Sequence, residues 1–194
     1  MTDIELWENS QNGDKNSYEQ LFKFYYPFLY NYGLKHTTDK YLLEDCIQEL
    51  FLEIWEKANE KNIKSFKAYI FQAFRNKLYR SFLKNKRTII TGFANNIIHP
   101  SVFEISKEDF IIEGEIEHEK FSSLYQSISK LSKRQQEIIY LRFHLNLSYE
   151  EISAIMNISY QVSRNLLYQA IKTLKKSLNL FQFGSAFLNF CTII

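Results

Sequence analysis

Between Ser148 and Leu178 the chain reads SYEEISAIMNISYQVSRNLLYQAIKTLKKSL, and few folds can accept that pattern. Ser148 followed by Glu151 has capping-box spacing, so a short helix should begin there, with Ile152, Ile155 and Met156 on its buried face. Asn157 tolerates a left-handed turn, and Ser159 can cap a second helix. The apolar positions Val162, Leu166, Leu167, Ala170, Ile171 and Leu174 follow helical spacing along it. Two helices joined by a tight turn are therefore expected. The remaining faces of the second helix carry Tyr160, Gln161, Arg164, Asn165, Tyr168 and Lys172, and no acidic residue follows Glu151. Short helix pairs are common in all-α proteins. The charge asymmetry is what makes this one read as a DNA-binding helix-turn-helix.

The rest of the composition agrees with an all-α chain. Five Gly and two Pro in 194 residues leave little material for tight turns. Net charge is only +2, but its distribution is uneven. From Ile63 to Gly92 there are eight Lys or Arg and no acid, whereas Glu104 to Glu119 holds seven acids against Lys107 alone. Cys46 and Cys191 lack metal-type spacing and the histidines are scattered, so no metal, cofactor or disulfide framework is expected. The acidic, polar amino terminus does not resemble a signal peptide, and no apolar run is long enough to span a bilayer. A soluble, cytoplasmic protein is the expectation.

In chain order, residues 3–12 suggest a short helix that stops at Gly13. Ser17 to Gln20 repeats the capping-box spacing ahead of an aromatic stripe from Leu21 to Tyr32, which Pro27 should bend. Asp39 can cap a third helix, with Leu42, Leu43, Cys46, Ile47, Leu50, Phe51, Ile54 and Trp55 on its buried side and Asp45, Gln48, Glu49, Leu52, Glu53 and Glu56 on other faces. Such a polar ridge serves equally as a solvated surface or as a partner's docking face.

The segment Phe66 to Arg87, FKAYIFQAFRNKLYRSFLKNKR, interleaves basic residues with six rings in its first seventeen positions. Basic groups hold phosphates and exposed rings can stack unpaired bases, so this helix is either a single-strand platform or a basic solvated face over a core stripe. Helical periodicity is lost over 88–115, which reads as a flexible linker. Four helices of a second domain follow over 116–179. The tail 180–194 is strongly apolar and either docks on that domain or serves as a partner-binding segment. The domain expectation is thus 1–87, linker 88–115, and 116–179 with the helix-turn-helix.

Taken together, DCIQELFLEIWEK (45–57), FKAYIFQAFRNKLYR (66–80) and LSKRQQEIIYLRFHLNLSYEEISAIMNIS with the helix after it resemble a bacterial RNA polymerase sigma factor of the extracytoplasmic-function (ECF) type in the sigma-70 family. The resemblance implies that Asp45, Gln48, Glu49, Phe51 and Trp55 dock on core RNA polymerase. It implies that Asn62, Ile63, Phe66, Tyr69, Asn76 and Arg80 capture melted minus-ten DNA. Tyr160, Gln161, Arg164, Asn165, Tyr168 and Lys172 would meet the minus-thirty-five duplex of promoter DNA. The sequence departs from the common pattern at Tyr69, Tyr79 and Gln161 to Ser163. An anti-sigma factor is a further partner that the resemblance leads one to expect.

Two other classes are distinguishable by sequence. A two-domain regulator that binds duplex without joining polymerase would share the helix-turn-helix, but would need a ligand or phosphoacceptor domain where residues 45–87 stand. A nucleic-acid enzyme would need clustered carboxylates, a Gly-rich phosphate loop or a nucleophile with its base, and the sequence offers none of these. No enzymatic activity is expected.

Overall fold

A computed structural model of the chain describes residues 1–56, 63–87, 103–105 and 118–177, leaving aside the side chains of 85–87 and 118–123. The described residues are helical, without strands, and the chain divides into two compact units, Met1–His99 and Pro100–Ile194.

The first unit contains α1 (Asp3–Gln11), α2 (Lys15–Leu34), α3 (Lys40–Glu56) and α4 (Phe66–Arg87). Helix α1 starts at a capping box: Thr2 Oγ1 accepts from the Glu5 N–H at 3.2 Å, and Glu5 Oε2 accepts from the Thr2 N–H at 2.7 Å. Gly13, at φ +90°, makes the turn into α2. The cap of α2 is Asp14, not Ser17. Asp14 accepts from the N–H groups of Asn16 and Ser17, and Ser17 Oγ donates to Asp14 Oδ2 at 2.6 Å. Those bonds, the Ser17 hydroxyl first, hold the Asp14 carboxyl below its usual range. The serine that looked like a cap lies inside the first turn, because Asp14 caps the helix three residues earlier and takes the N–H and hydroxyl of Ser17 itself. Helix α2 continues through Pro27, which lies on its exposed side. Helix α3 starts where expected, with Asp39 Oδ1 accepting from the Leu42 N–H at 3.1 Å.

Helices α2, α3 and α4 close around an aromatic and aliphatic core. Leu21, Tyr25, Leu29 and Tyr32 of α2 are buried with Leu43, Ile47, Leu50, Phe51 and Ile54 of α3, and with Phe66, Ile70, Phe71, Phe74 and Leu78 of α4. Gly33 lets α2 lie close against α3 and α4: a Cβ there would lie 2.6 Å from Leu43 Cδ2 and 3.1 Å from Phe74 Cζ. Contacts that short leave no room for a methyl group. Trp7 of α1 fits against the rings of Phe66 and Tyr69, with centroids at 5.2 and 5.8 Å.

The second unit contains α5 (His118–Ser129), α6 (Lys133–Ile139), α7 (Tyr149–Met156) and α8 (Tyr160–Ser177). Ser132 and Gln135 form the expected capping box of α6, at 3.3 and 3.0 Å. Helix α6 runs on into a π-helical turn, Tyr140–His144, where Leu145 N–H reaches Tyr140 O at 3.1 Å. The turn is followed by Asn146 at φ +49° and is tied down by Arg142 Nη1, which donates to Leu147 O at 2.6 Å. Leu124, Ile128, Ile138, Ile139, Leu141, Ile152, Ile155, Leu167, Ala170 and Leu174 form the core.

Within the stretch read as linker, Phe103 and Ile105 are buried in this unit. The Phe103 ring stands 5.6 Å from that of Tyr140, and Lys133 Nζ pairs with Glu104 at 2.6 Å. The apolar tail lies outside the described residues, as does Asn62.

Candidate polymerase and nucleic-acid interfaces

The helix-turn-helix forms as its caps dictate. Ser148 Oγ accepts from the Glu151 N–H at 3.2 Å, and Glu151 Oε2 accepts from the Ser148 N–H at 2.8 Å. Helix α7 ends on Asn157 in the left-handed region, φ 53° and ψ 52°, and Ile158 N–H closes the end on Ser153 O at 3.0 Å. Ser159 Oγ then accepts from the Val162 N–H at 3.3 Å and starts α8. Where α7 crosses α8 the hydroxyl oxygens of Ser153 and fully buried Ser163 are 3.0 Å apart. A larger side chain at Ser163 would push α8 away from α7.

This crossing turns one face of α8 outward. Tyr160, Gln161, Arg164, Asn165, Tyr168 and Lys172 are all exposed, so the structure brings together every side chain that the sequence nominated on this helix. Arg164 Cζ lies 5.9 Å from the Tyr160 ring centroid, and Lys172 Nζ lies at the same distance from that of Tyr168. The rings keep the two cations near the helix surface without removing them from solvent. Tyr160, Val162 and Tyr168 remain exposed at 43%, 47% and 62%.

On α3 the nominated residues separate by depth. Asp45, Gln48 and Glu49 are exposed and Trp55 is half-buried against Tyr18, with ring centroids at 4.8 Å. Phe51 is 1% exposed and packs on Phe22, so it is a core residue and not a docking contact. The outward position beside it is Leu52, 57% exposed within the ridge of Gln48, Glu49, Glu53 and Glu56. The helical spacing already places Phe51 with the buried positions and Leu52 on another face, and it is the docking role implied by the family resemblance that the burial of Phe51 corrects.

Helix α4 also resolves its ambiguity. Phe66, Phe71 and Phe74 are fully buried and Tyr79 nearly so. Phe66, nominated for base capture, fills the space between Trp7 and Tyr25, both 5.2 Å from its centroid, and its ring is therefore part of the core. Arg75 is buried too, with its guanidinium 4.6 Å from the Tyr79 ring. Tyr69 is half-buried, and burial, followed by the charge of Glu53, pushes its phenol above the usual range. Ile63 is half-buried on the approach to α4. Tyr69, Gln72, Asn76, Arg80 and Lys84 line one wall of a groove of about 650 Å³ whose opposite wall is Glu49 and Glu53 of α3. Lys77 joins the two walls, at 2.9 Å from Glu49 and 2.7 Å from Glu53. The nominated minus-ten residues Tyr69, Asn76 and Arg80 thus share a groove with the nominated polymerase-docking residue Glu49.

A helical unit with this groove, followed by a helix-turn-helix unit with a cationic reading face, is the arrangement of sigma-70 regions 2 and 4. The family model described as Sigma-70 region 2 matches residues 21–88, and that described as Sigma-70, region 4 matches residues 121–174. The chain belongs to the sigma-70 family and is a sigma factor of the ECF type. Among curated relatives it is 27% identical over 161 residues to the ECF RNA polymerase sigma factor SigM of Bacillus subtilis, covering 83% of this chain and 94% of SigM. It is 25% identical over 177 residues to the ECF RNA polymerase sigma factor BldN of Streptomyces coelicolor, covering 90% of this chain but 65% of BldN. A solved structure of CnrH in complex with the cytosolic domain of CnrY shares the fold at 15% identity, with a TM-score of 0.57 over 90% of this chain and 95% of that one. The region 2 match occupies the part of the chain that a regulator acting on duplex alone would give to another purpose, and so the regulator reading is not favoured. No helix among the described residues is long and apolar enough to cross a membrane.

Proposed function

We propose that this sigma factor joins core RNA polymerase through α3, anchors the minus-thirty-five duplex on α8, and captures melted minus-ten DNA along α4. The observation that carries the reading is the exposure of all six nominated α8 side chains on an acid-free helix, in a chain whose first unit matches region 2. Asp45, Gln48, Glu49, Leu52 and Trp55 are the docking set. Tyr69, Asn76 and Arg80 hold the opened strand, with Ile63 and Asn62 in the segment leading to α4. Arg164 and Lys172 hold phosphates, while the amides and rings of α8 face base edges.

Melting requires no bond chemistry from the protein, because base pairing is exchanged for stacking and phosphate contacts. The factor therefore has no enzymatic activity of its own and uses no cofactor. It works in the cytoplasm, where the polymerase is. The organisation is 1–87 for polymerase and minus-ten contacts and 116–179 for the upstream duplex, with 88–115 between them, of which Phe103–Ile105 packs on the second unit. An anti-sigma factor is its expected regulator, and CnrH, a chain of the same fold, was solved in complex with the cytosolic domain of CnrY. Reconstitution tests the reading. The purified chain mixed with core RNA polymerase should initiate from a cognate promoter, and duplex binding without core association or initiation would return it to the regulator class.

A further inference from the structure

Three consecutive residues without helical period are fastened to the second unit. Phe103 is fully buried with its ring centroid 5.6 Å from that of Tyr140, Ile105 is 5% exposed, and Lys133 Nζ donates to Glu104 Oε1 at 2.6 Å. Lys133 opens α6 and Tyr140 begins the π-helical turn, so the anchor grips the elements directly before the helix-turn-helix.

That anchor decides how much chain connects the two units. Residues 88–102 separate the end of α4 at Arg87 from Phe103, whereas 88–117 would separate it from the start of α5 at His118. Full extension gives at most about 3.3–3.6 Å per residue, which limits the anchored connection to about 55 Å and would allow an unanchored one about 105 Å. Promoter elements named for positions ten and thirty-five lie about 25 base pairs apart, or about 85 Å of duplex axis at about 3.4 Å per pair. An unanchored chain would span that distance with slack, and a slack tether imposes no spacing. The anchored chain falls short by about 30 Å, and the units must supply the rest from their own length. Helix α4 alone, with 22 residues, is about 33 Å long. The anchor therefore lowers the greatest separation within reach by about 50 Å, equivalent to about fifteen base pairs.

We infer that the Phe103–Ile105 anchor sets the longest spacing between the upstream and minus-ten elements that this factor bridges, with Phe103 as the positioning residue. The inference rests on the proposed function, which sets the two units on the two elements, and it adds the part of the chain that measures the distance between them.

The test uses the full chain joined to core RNA polymerase, on promoters that differ only in spacers lengthened one base pair at a time. Wild type should lose initiation about tenfold or more beyond a limiting spacer length. Gly-Ser-Gly-Ser inserted between Asn95 and Asn96, on the amino side of the anchor, should move that limit outward by about four base pairs, since four residues add about 13 Å. The same insertion between Glu113 and Gly114, on the carboxy side, should leave the limit where wild type has it. Phe103→Ala should move the limit outward. Leu167→Ala, which empties a core site in α8, should lower initiation at every spacing alike, and this separates release of the anchor from loss of stability. A limit that ignores the amino-side insertion, that moves equally under both insertions, or that wild type lacks altogether overturns the inference and leaves the proposed function standing. A wild-type chain that initiates at no spacing overturns the proposed function and the inference with it.

Discussion

Lys77 Nζ of α4 lies 2.7 Å from Glu53 Oε1 of α3, crossing the groove that carries the nominated DNA contacts. The Lys77 side chain is 15% exposed and that of Glu53 is 52% exposed, so solvent screens the pair from one side. Burial alone would lower the Lys77 pKa, but its bonds to Glu53 and Glu49 outweigh that and hold it above the ordinary 10.5. A raised folded-state value means that the stabilisation is complete below the unfolded value of 10.5 and is lost as pH climbs through the folded one. Urea midpoints of wild type and Lys77→Met should therefore differ by a constant amount from neutral pH to about pH 10 and converge above it, with the gap less than about 1 kcal/mol. Promoter opening should suffer more than stability, because Lys77→Met removes the positive charge held between Glu49 and Glu53 and leaves a net negative charge facing a polyanion. Adding Glu49→Gln and Glu53→Gln should restore opening in a permanganate footprint of the melted region.

Leu52 is the exposed apolar centre of the α3 ridge. Leu52→Asp should raise the dissociation constant for core polymerase by about tenfold or more, as loss of a central contact does, with an unchanged melting temperature. Phe51→Ala, one residue away, should lower the melting temperature clearly, since it empties a core site. Fluorescence anisotropy with labelled chain, together with thermal melts, separates the two.

Much of this architecture is readable from the chain itself. The capping boxes at Ser132 and Ser148, the cap at Asp39 and the left-handed Asn157 all act over three or four residues, and local sequence contains everything they need. Depth is harder to read. Spacing separates Phe51 from Leu52 on α3, but the difference between Phe66 and Tyr69 depends on which face α1, α2 and α3 press against, and that is set by distant contacts such as Trp7 on Phe66. Lys77 and Arg75 show the same limit: both read as phosphate-holding cations, yet one is committed to Glu49 and Glu53 and the other is buried beside Tyr79. The Asp14 cap was obscured for a simpler reason, because Ser17 three residues later carries an equally plausible signature.

Phe103 has no helical period around it, which is why its segment reads as linker, yet it is fully buried against Tyr140. Phe103→Ala should destabilise the second unit by about 3 kcal/mol, the lower end for emptying a buried phenylalanine site. Chemical denaturation followed by a probe in that unit checks this, and the first unit's transition should stay where it is. Lys133→Ala, which removes only the exposed pair with Glu104, should shift the midpoint by much less.

Arg164 is exposed and lies beside the Tyr160 ring, with no ion pair to a carboxylate among the described residues, and no acid follows Glu151 in the chain. Arg164→Ala should weaken binding to matched and mismatched duplexes alike. The slope of log affinity against log salt should become shallower by about one for the one phosphate contact removed. A substitution that changed base preference but not the salt slope would place Arg164 on a base edge instead.

Asn157 fixes the angle at which α7 hands the chain to α8, and the Ser153–Ser163 contact clamps the crossing from the other side. The reading helix is therefore already rigid before any promoter arrives, and little conformational entropy remains to be lost when it enters a groove. Recognition upstream should consequently be fast, weakly temperature-dependent and nearly free of a heat-capacity signature of folding. Any large heat-capacity change on holoenzyme binding to promoter would then report ordering elsewhere in the assembly.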